Sequence, residues 1–323
     1  FNGSVQDFTI TDAPTNAQQI LLSINGVVQK PNSGTSTPSE GFALSGSTVK
    51  LSAAPPSGSD YFAIVLGSTV NIGTPSNNTV TSAILQNGSV TPAKVVSGQD
   101  FTFNSVTVGK GANSVAGNTV LGASALDASV SGGNNTAIGS SALSALTSGT
   151  VNTAVGANSL TANTTASANT AVGSESLKIN TTGHSNTAVG DESLKSNETG
   201  DKNTAIGNDA LWANTTADNN TAIGNQALVA NTTGQYNTAV GANALDSNTT
   251  ASNNTAVGGN CLQANTTGTD NNAVGYAALY TNTTGNDNTA IGDNALGLNT
   301  TASNNTAVGS LALYSNTTGE NNV

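Results

Sequence analysis

The sequence predicts an all-β protein in three parts: a small β-sandwich over residues 1–68, a connector over 69–117, and a parallel β-solenoid of 17-residue repeats over 118–323. Two observations lead to this prediction. The first 68 residues contain paired strand and turn signals, and a five-residue motif later recurs at a fixed interval. Repeats of fixed period stack to build a core that no single repeat could form.

The N-terminal part alternates short apolar runs with turn signals. Asn25-Gly26 is the strongest of these signals, because a type I′ hairpin turn needs positive φ at both central positions. Pro31 lacks a backbone donor and is predicted to end the strand before it. The predicted strands are 5–11, 19–24, 27–30, 41–45, 48–52 and 61–66, with a second hairpin turn at Gly46-Ser47. About six short strands separated by turns are typical of a small β-sandwich.

The connector contains no catalytic or binding motif, and we interpret it as a neck between two folded parts. Residues 68–81 are rich in Asn, Ser, Thr and Gly and predict a linker. The segment 80–95 has a turn signal at Asn87-Gly88 and predicts a helical turn on either side of it. Residues 101–108 alternate and predict one strand that leads into the repeats. We expect this region to bring neighbouring chains into register.

The repeat is the motif Asn-Thr-Ala-Val/Ile-Gly, which returns every 17 residues without a slip. We number the 17 slots of each repeat from the first Asn of the motif. A period of 17 is too short for two helices or a propeller blade, which need about 34 and about 40 residues. It suits one coil of a β-solenoid, whose coils pair in parallel about 4.8 Å apart, so that twelve coils span roughly 55–60 Å. The motif begins at Asn135, Asn152, Asn169, Asn186, Asn203, Asn220, Asn237, Asn254, Asn288 and Asn305, with looser copies at Asn118 and Asn271.

Several slots hold one kind of residue throughout. Slot four is always aliphatic, slot five always Gly, slot nine always Leu, and slots twelve to fourteen are mostly Asn-Thr-Thr from Asn163 onward. We predict two strands per coil, at slots two to four and seven to nine, with slots four and nine forming the core. Asn at slots one and twelve predicts amide ladders, and Thr at slots thirteen and fourteen predicts stacked columns. Gly at slot five permits positive φ or close backbone approach.

This core is thin. Two large apolar side chains per coil, at roughly 1.5–3 kcal/mol each, hardly offset about 1–2 kcal/mol of backbone entropy for each of 17 residues. Ala at slots three and eight is predicted to let several solenoids approach closely. We therefore expect an obligate oligomer, with a threefold rod as the favoured closed form.

Composition excludes several classes of function. The net charge is −11, with seven Lys and no Arg, which argues against nucleic-acid binding. A single Cys excludes an intrachain disulfide framework. No run reaches the roughly 18 apolar residues of a membrane span. The chain starts at Phe1 without Met and stops within a repeat, so we expect it to be a fragment at both ends.

The candidate site residues favour structural roles, and we predict no catalytic, cofactor-binding or metal-binding residue. Cys261 stands at slot eight, where other copies have Ala or Ser, and is predicted to be a buried filler. His184 stands at slot sixteen, a variable turn position without a second ligand nearby. Asn-Thr-Thr matches a glycosylation sequon but is more simply a stacking turn. The scattered acids are Asp127, Glu175, Asp191, Glu192, Asp209, Asp218, Asp270, Asp287 and Asp293; the aromatic residues that could stack on sugars are Trp212, Tyr236, Tyr276, Tyr280 and Tyr314.

Two groups of proteins resemble this sequence. Asn-Thr-Ala-Val/Ile-Gly followed by a small residue and Leu resembles the head repeats of trimeric autotransporter adhesins, the YadA-like β-roll. The same motif with Ala-Leu and Asn-Thr-Thr-Gly also resembles the shafts of phage tail fibres, especially those of marine cyanophages. Further tail-fibre-like motifs are Ser-Ile-Asn-Gly-Val-Val-Gln-Lys-Pro at 23–31, Gly-Ser-Thr-Val at 46–49, Ala-Pro at 54–55, Val-Thr-Ser-Ala-Ile at 80–84 and Asn-Gly-Ser-Val-Thr at 87–91.

The resemblance implies a homotrimeric fibre of the virion that supports adsorption to a host cell. Phage tail or adaptor proteins would bind at the N-terminal side, and a distal region outside this chain would bind the host receptor. A bacterial trimeric surface adhesin is the first alternative and a depolymerase tailspike the second. An ice-binding solenoid, suggested by the Thr columns, is a third.

Overall fold

The computed structural model describes residues 1–66 and 100–323, and the predicted helical turns within 80–95 lie outside these ranges. The chain divides into two compact units, Phe1–Lys94 and Val95–Val323. Within the described residues the protein is all-β, and its helical segments are two short 3₁₀ turns, Ala17–Gln19 and Ala112–Ser114. The predicted fold class, a small N-terminal sandwich followed by a 17-residue-repeat parallel solenoid, is confirmed.

The N-terminal unit has two small sheets around one core. The strands are β1 Asp7–Thr9, β2 Ile20–Ile24, β3 Val27–Val28, β4 Pro31–Asn32, β5 Phe42–Ser45, β6 Thr48–Leu51 and β7 Tyr61–Val65. The four-stranded sheet has the order β1-β6-β5-β4, and the three-stranded sheet has the order β3-β2-β7. Phe42, Val49 and Leu51 from the first sheet pack with Ile20 and Leu22 from the second.

Both predicted hairpins of this unit form. Asn25 has φ 50° and Gly26 has φ 82°, so the turn between β2 and β3 has the two positive φ values expected of Asn-Gly. Gly46 lies in the turn between β5 and β6, which pair antiparallel. Pro31 has a further role that the sequence did not predict. It begins β4, which leaves the sheet of β3 and pairs in parallel with β5 of the other sheet.

The second unit is built on one 14-stranded sheet with a single short strand from each coil. Each coil contributes slots two to four, and each strand pairs in parallel and in register with the same slots of the next coil. The strands are β10 Thr119–Gly122, β11 Thr136–Ile138, β12 Thr153–Val155, β13 Thr170–Val172, β14 Thr187–Val189, β15 Thr204–Ile206, β16 Thr221–Ile223, β17 Thr238–Val240, β18 Thr255–Val257, β19 Asn272–Val274, β20 Thr289–Ile291 and β21 Thr306–Val308.

A β-hairpin begins this sheet, and the prediction of one strand over 101–108 is wrong. The chain forms β8 (Phe101–Phe103) and β9 (Val106–Gly109), and β9 pairs antiparallel with β10. Asn104 and Ser105, with φ 47° and 66°, form the two-residue turn between them. The hairpin covers the edge of the first coil, an arrangement by which end units protect stacked repeats.

The predicted second strand at slots seven to nine is also wrong. Slots seven and nine have positive φ in every coil, for example 55° at Asn243 and 54° at Leu245. Alternating left-handed residues cannot continue a β-pleat, so the chain turns here instead. These turns still bond from coil to coil: the Leu228 N–H donates to the Ala244 carbonyl at 3.0 Å. Hydrogen bonding between coils therefore continues outside the strands.

The core of the solenoid differs from the prediction at slot four. A three-residue strand alternates, so slot three faces inward while slots two and four face outward. Ala222 at slot three is fully buried, whereas the neighbouring Ile223 at slot four is 37% exposed. Apart from Val130 and Leu146 in the first two coils, the core therefore consists of slots three, eight and nine: Ala, a small residue and Leu. Because these alanines fill their own chain's core, the prediction that they let several solenoids approach one another is wrong.

The two predicted Asn ladders are confirmed, and both are buried. At slot one, the Asn220 Oδ1 accepts the Asn237 N–H at 3.0 Å, while its Nδ2 donates to the Gly234 carbonyl at 2.8 Å. At slot twelve, the Asn248 Nδ2 donates to the Asn231 Oδ1 at 2.9 Å. Among the described residues, no buried side-chain nitrogen or oxygen lacks a partner. The interior thus contains two buried columns of Asn beside its apolar core, and because these side chains are fully hydrogen-bonded, the cost of burying their amides is removed.

The predicted Thr columns take two different forms. Slot-thirteen hydroxyls donate to the carbonyl of the same slot in the next coil, as from Thr232 Oγ1 to Thr249 O at 3.0 Å. Slot-fourteen threonines such as Thr233 and Thr250 are exposed. The first column adds hydrogen bonds between coils, and the second lies on the surface.

Gly at slot five is required by backbone contact between coils. A Cβ on Gly258 would lie 2.3 Å from the Gly275 carbonyl oxygen, and the φ of Gly258 is 139°. The next residue, Gly259, is different, because a Cβ there would meet nothing closer than 3.6 Å, on Tyr276. Substituting Gly258 tests the close contact with the next coil, whereas substituting Gly259 tests only the loss of a flexible residue.

We expect Gly258→Ala to destabilise the solenoid by at least about 1 kcal/mol, because the methyl group collides with the next coil and the backbone conformation is strained. Gly259→Ala is the matched control and should change stability by less than about 0.5 kcal/mol. Thermal or denaturant unfolding of the two variants measures the difference. Equal stability of the two variants would contradict this account of slot five.

Candidate interaction surface

An exposed apolar stripe runs along the outer face of the 14-stranded sheet. We define it as the slot-four side chains from Leu121 to Val308 together with Phe101, Phe103, Val106 and Val108. Its slot-four members are half-buried or exposed in every coil, although they are all aliphatic. Single exposed apolar residues are ordinary, but a contiguous apolar surface of this length is typical of an interaction site.

Strand register joins the hairpin to the rest of the stripe. Leu121 lies opposite Val108, and Val108 lies opposite Phe101, so the three side chains share one face. Phe103 and Val106 also lie opposite each other. Phe103 is two residues from Phe101 and Val106 is two residues from Val108, so both share that face. In the other direction Leu121 lies opposite Ile138, which starts the unbroken slot-four column. The stripe is thus aromatic at its first end and aliphatic along the coils.

No charged residue stands on this face of the sheet. Slot two is Thr in every coil except for Asn272, slot four is aliphatic, and the outward residues of β8 and β9 are Phe and Val. The chain nevertheless carries a net charge of −11. The acids therefore lie on other surfaces, and this face can approach another apolar surface without burying a charge.

The largest ionic cluster of the described residues lies at slots seven and ten, away from the stripe. Lys195 Nζ contacts Glu175 Oε2 at 2.7 Å and Glu192 Oε1 at 3.0 Å, and Lys178 contacts Glu175 Oε1 at 2.8 Å. The Trp212 indole donates to Glu192 Oε2 at 2.9 Å. Hydrogen bonds from Lys178 and Lys195 lower the pKa of Glu175 to about 2.

The same cluster bears on glycoside hydrolysis. Hydrogen bonds from Lys195 and Trp212 lower the pKa of Glu192, so both carboxyl groups of the cluster are held ionised. A glycosidase needs one carboxyl group that stays protonated near neutral pH. Burial raises the pKa of Asp246, but its slot-ten neighbours in the adjoining coils are Val229 and Gln263. The arrangement supplies no paired acid and base there.

His184 belongs to a column of side-chain hydrogen bonds at slot sixteen. Its Nδ1 accepts the Ser167 N–H at 3.0 Å, and its own N–H donates to Asp201 Oδ1 at 2.6 Å. The Asp201 N–H in turn donates to Asp218 Oδ1 at 2.7 Å. From Thr150 to Ser303 this slot holds Thr, Ser, His, Asp, Gln or Asn, all of which carry an acceptor. Every side chain at this slot can therefore accept a hydrogen bond, and this pattern is visible in the sequence.

The other candidate residues occupy structural or scattered positions. Cys261 is buried, and burial raises the pKa of its thiol to about 12, so it is held as an unreactive thiol. The slot-twelve Asn of the sequons is buried in its ladder from Asn163 to Asn299 and is inaccessible to a glycan. Trp212, Tyr236, Tyr276, Tyr280 and Tyr314 are all exposed, and the ring-to-ring contacts of the described residues involve only Phe1, Phe8 and Tyr61.

Residues 1–66 and 100–323 contain neither a metal-binding cluster nor a helix that could span a membrane. No three or more His, Cys, Asp and Glu side chains are grouped so that they could hold a metal ion. No helix in these ranges has the length and apolar character needed to span a membrane. Comparison with protein-family models, curated proteins and solved structures finds no match to the chain.

The Glu175 ion pairs give the solenoid a defined acid sensitivity. The folded pKa of Glu175 lies below the ordinary value of 4.5. Its ion pairs therefore stabilise the fold above about pH 4.5, and that stabilisation is lost as the pH falls toward about 2. We expect Glu175→Gln to lower the melting temperature at neutral pH and to reduce its fall between about pH 5 and about pH 2.

Asp209→Asn is the control for this prediction, because Asp209 stands in the same slot of a later coil and forms no ion pair among the described contacts. Its acid dependence should match that of the unchanged chain. Melting temperatures across this pH range test the comparison. An unchanged acid response in Glu175→Gln would show that the ion pairs contribute nothing measurable.

Proposed function

We propose that this chain is a structural fibre protein without enzymatic activity: the solenoid shaft of a homotrimeric bacteriophage tail fibre that supports adsorption to a host cell. The observation that carries the proposal is the uncharged apolar stripe along the whole sheet. A binding protein for a small ligand would concentrate its distinctive residues at one place. Here the same surface is repeated coil after coil, as expected of a surface that assembles.

The need for a partner follows from the small core. Each coil from Asn152 to Asn288 buries one Leu as its only large apolar side chain, together with small residues and two Asn. Three copies that turn their stripes toward a common axis would bury the aliphatic side chains that each copy leaves exposed. The gain is about 25 cal/mol for each Å² of apolar surface removed from water. Threefold closure also satisfies every copy equally, which open head-to-tail association does not.

The remaining parts of the proposal rest on resemblance. The motifs at 23–31 and 46–49 resemble tail-fibre domains, which supports binding of the N-terminal unit to a phage tail or adaptor protein. Host-receptor recognition is assigned to a distal region outside this chain, and the fibre is placed on the virion. The alternatives are a trimeric adhesin on a bacterial surface, which shares the repeat motif, and a depolymerase tailspike. Glu175 and Glu192 are both held ionised, so their cluster lacks the protonated acid that a depolymerase needs.

The assembly is tested by the mass of the chain in solution. We expect three times the 31.6 kDa of one chain. Ile206→Glu with Ile223→Glu should dissociate the trimer, because two charges per copy would be buried at the stripe without partners. The control is Thr216→Glu with Thr233→Glu, which adds the same charges at slot fourteen of the same two coils and should remain trimeric. A monomeric unchanged chain would contradict the proposal.

The placement on a virion needs a separate test. We expect antibodies raised against this chain to label the tail fibres of purified phage particles in electron micrographs. Antibody adsorbed with the purified chain is the control and should give no labelling. Labelling of the bacterial surface in phage-free cells, with none on virions, would favour the adhesin instead.

A further inference from the structure

Identical coils leave the register between packed copies poorly defined. Slot two is nearly always Thr and slot four always aliphatic, so each coil presents almost the same surface as the next. If one copy slid along another by one coil, about 4.8 Å, nearly every contact would be replaced by an equivalent one. Surfaces with so uniform a pattern specify register weakly. Something outside the repeats must favour one alignment.

The hairpin β8–β9 is the feature that interrupts this uniformity. Phe101 is 60% exposed and Phe103 is 65% exposed, and they are the only aromatic residues on the stripe. The base of the hairpin is held by Asp100, whose two carboxylate oxygens accept the N–H groups of Lys110 and Gly111, each at 2.7 Å. The two rings therefore project from a fixed element at one end of an otherwise aliphatic surface.

We propose that this hairpin sets the register between copies of the chain, which pack in parallel through their stripes so that the Phe101 and Phe103 rings of neighbouring copies meet. This inference rests on the oligomer of the proposed function. Aromatic rings in contact contribute about 0.5–1.5 kcal/mol beyond their buried area. A slip of one coil would place each pair of rings against smaller side chains and expose part of their surface.

The occupant of the stripe is assigned to a second copy of this chain for two reasons. A surface that repeats about every 4.8 Å is matched along its length only by a partner of the same rise, and the coils of another copy have it. The stripe is also uncharged in a chain of net charge −11, so copies can meet there while their acids stay apart. Like-charge contacts would otherwise oppose self-association.

The size of the stripe is of the right order. Fourteen strands at about 4.8 Å spacing and a width of three residues give roughly 600 Å² per copy. A standard stable interface buries about 800 Å² per partner, and the inner rims of neighbouring turns would add to the stripe. The area of the stripe is therefore close to that of an interface between copies and larger than that of a contact with a small ligand.

Disulfide formation between neighbouring copies tests the register. Val240→Cys and Val257→Cys place thiols at slot four of two successive coils, and disulfides need Cα atoms within about 7 Å. The two variants are refolded together as full chains and oxidised mildly, and the linked peptides are identified by mass spectrometry. We expect 240–240 and 257–257 links and few 240–257 links. Thr250→Cys, at slot fourteen, should give no links within the oligomer.

The same mixture is then made with Phe101→Ser and Phe103→Ser in both chains. We expect the oligomer to persist while 240–257 links rise to the level of the like-with-like links. Circular dichroism checks that the solenoid itself is intact, as expected for two exposed side chains. Each of the other outcomes has a distinct meaning, because oligomer formation and register are measured separately.

If the unchanged chain is monomeric, the proposed trimeric fibre fails and the register inference fails with it. If the oligomer forms but the serine variants keep like-with-like links, the hairpin does not set the register and only this inference is overturned. It is also overturned if mixed links are already abundant with the hairpin unchanged, or if the serine variants abolish the oligomer. In that last case the hairpin would supply affinity rather than alignment.

Discussion

The slot-one Asn ladder is the constraint on which the rest of the solenoid depends. In each coil the Asn Oδ1 accepts the backbone N–H of the Asn that begins the next coil, and this series is unbroken from Asn118 to Asn322. The donors are buried, so the loss of one acceptor would leave an unpaired N–H at a cost of about 1–3 kcal/mol. An inserted or deleted residue would move every later Asn out of place. The strict period of 17 follows from this geometry.

The close spacing that the ladder imposes also determines what the interior can hold. At slot five the backbones approach so closely that only Gly fits, and at slot three, where Val120 is the one exception, only Ala occurs. From the third coil onward, Leu at slot nine is the single large apolar side chain that remains inside. The aliphatic side chains of slot four are therefore left on the outer face of the sheet. The interior of the chain and its exposed stripe are two results of one constraint.

Much of the fold could be predicted because its causes are local or periodic. The solenoid follows from the repeat, the ladders from Asn at fixed slots, and the first hairpin from Asn25-Gly26. The sequence favours slot four as a core position because Val and Ile are usually buried, but it also contains a contrary signal. Slot three is Ala in every coil after Val120, as in a confined space, whereas slot four varies among Leu, Val and Ile, as in an open one.

Other features could not be predicted from residue types alone. Leu at slot nine has positive φ, which is unusual for this residue and not evident from its type, so the strand predicted at slots seven to nine does not form. The turn at Asn104-Ser105 lacks the Gly that normally identifies a two-residue hairpin. The pairing of Lys195 with two acids depends on which side chains successive coils bring together. The hydrogen-bond acceptors of slot sixteen are visible in the sequence. Only the structure shows that they accept the backbone N–H of the same slot in the preceding coil.

The central claim is that the outer face of the sheet is covered by other copies of the chain, and the reactivity of introduced thiols tests it most directly. Ile223→Cys and Thr233→Cys place a thiol on the stripe and at slot fourteen of the same coil. Native Cys261 should not react with an alkylating reagent, because it is buried and burial raises the pKa of its thiol to about 12. We expect an alkylating reagent to modify Thr233→Cys rapidly and Ile223→Cys far more slowly. Equal rates at the two positions would contradict it.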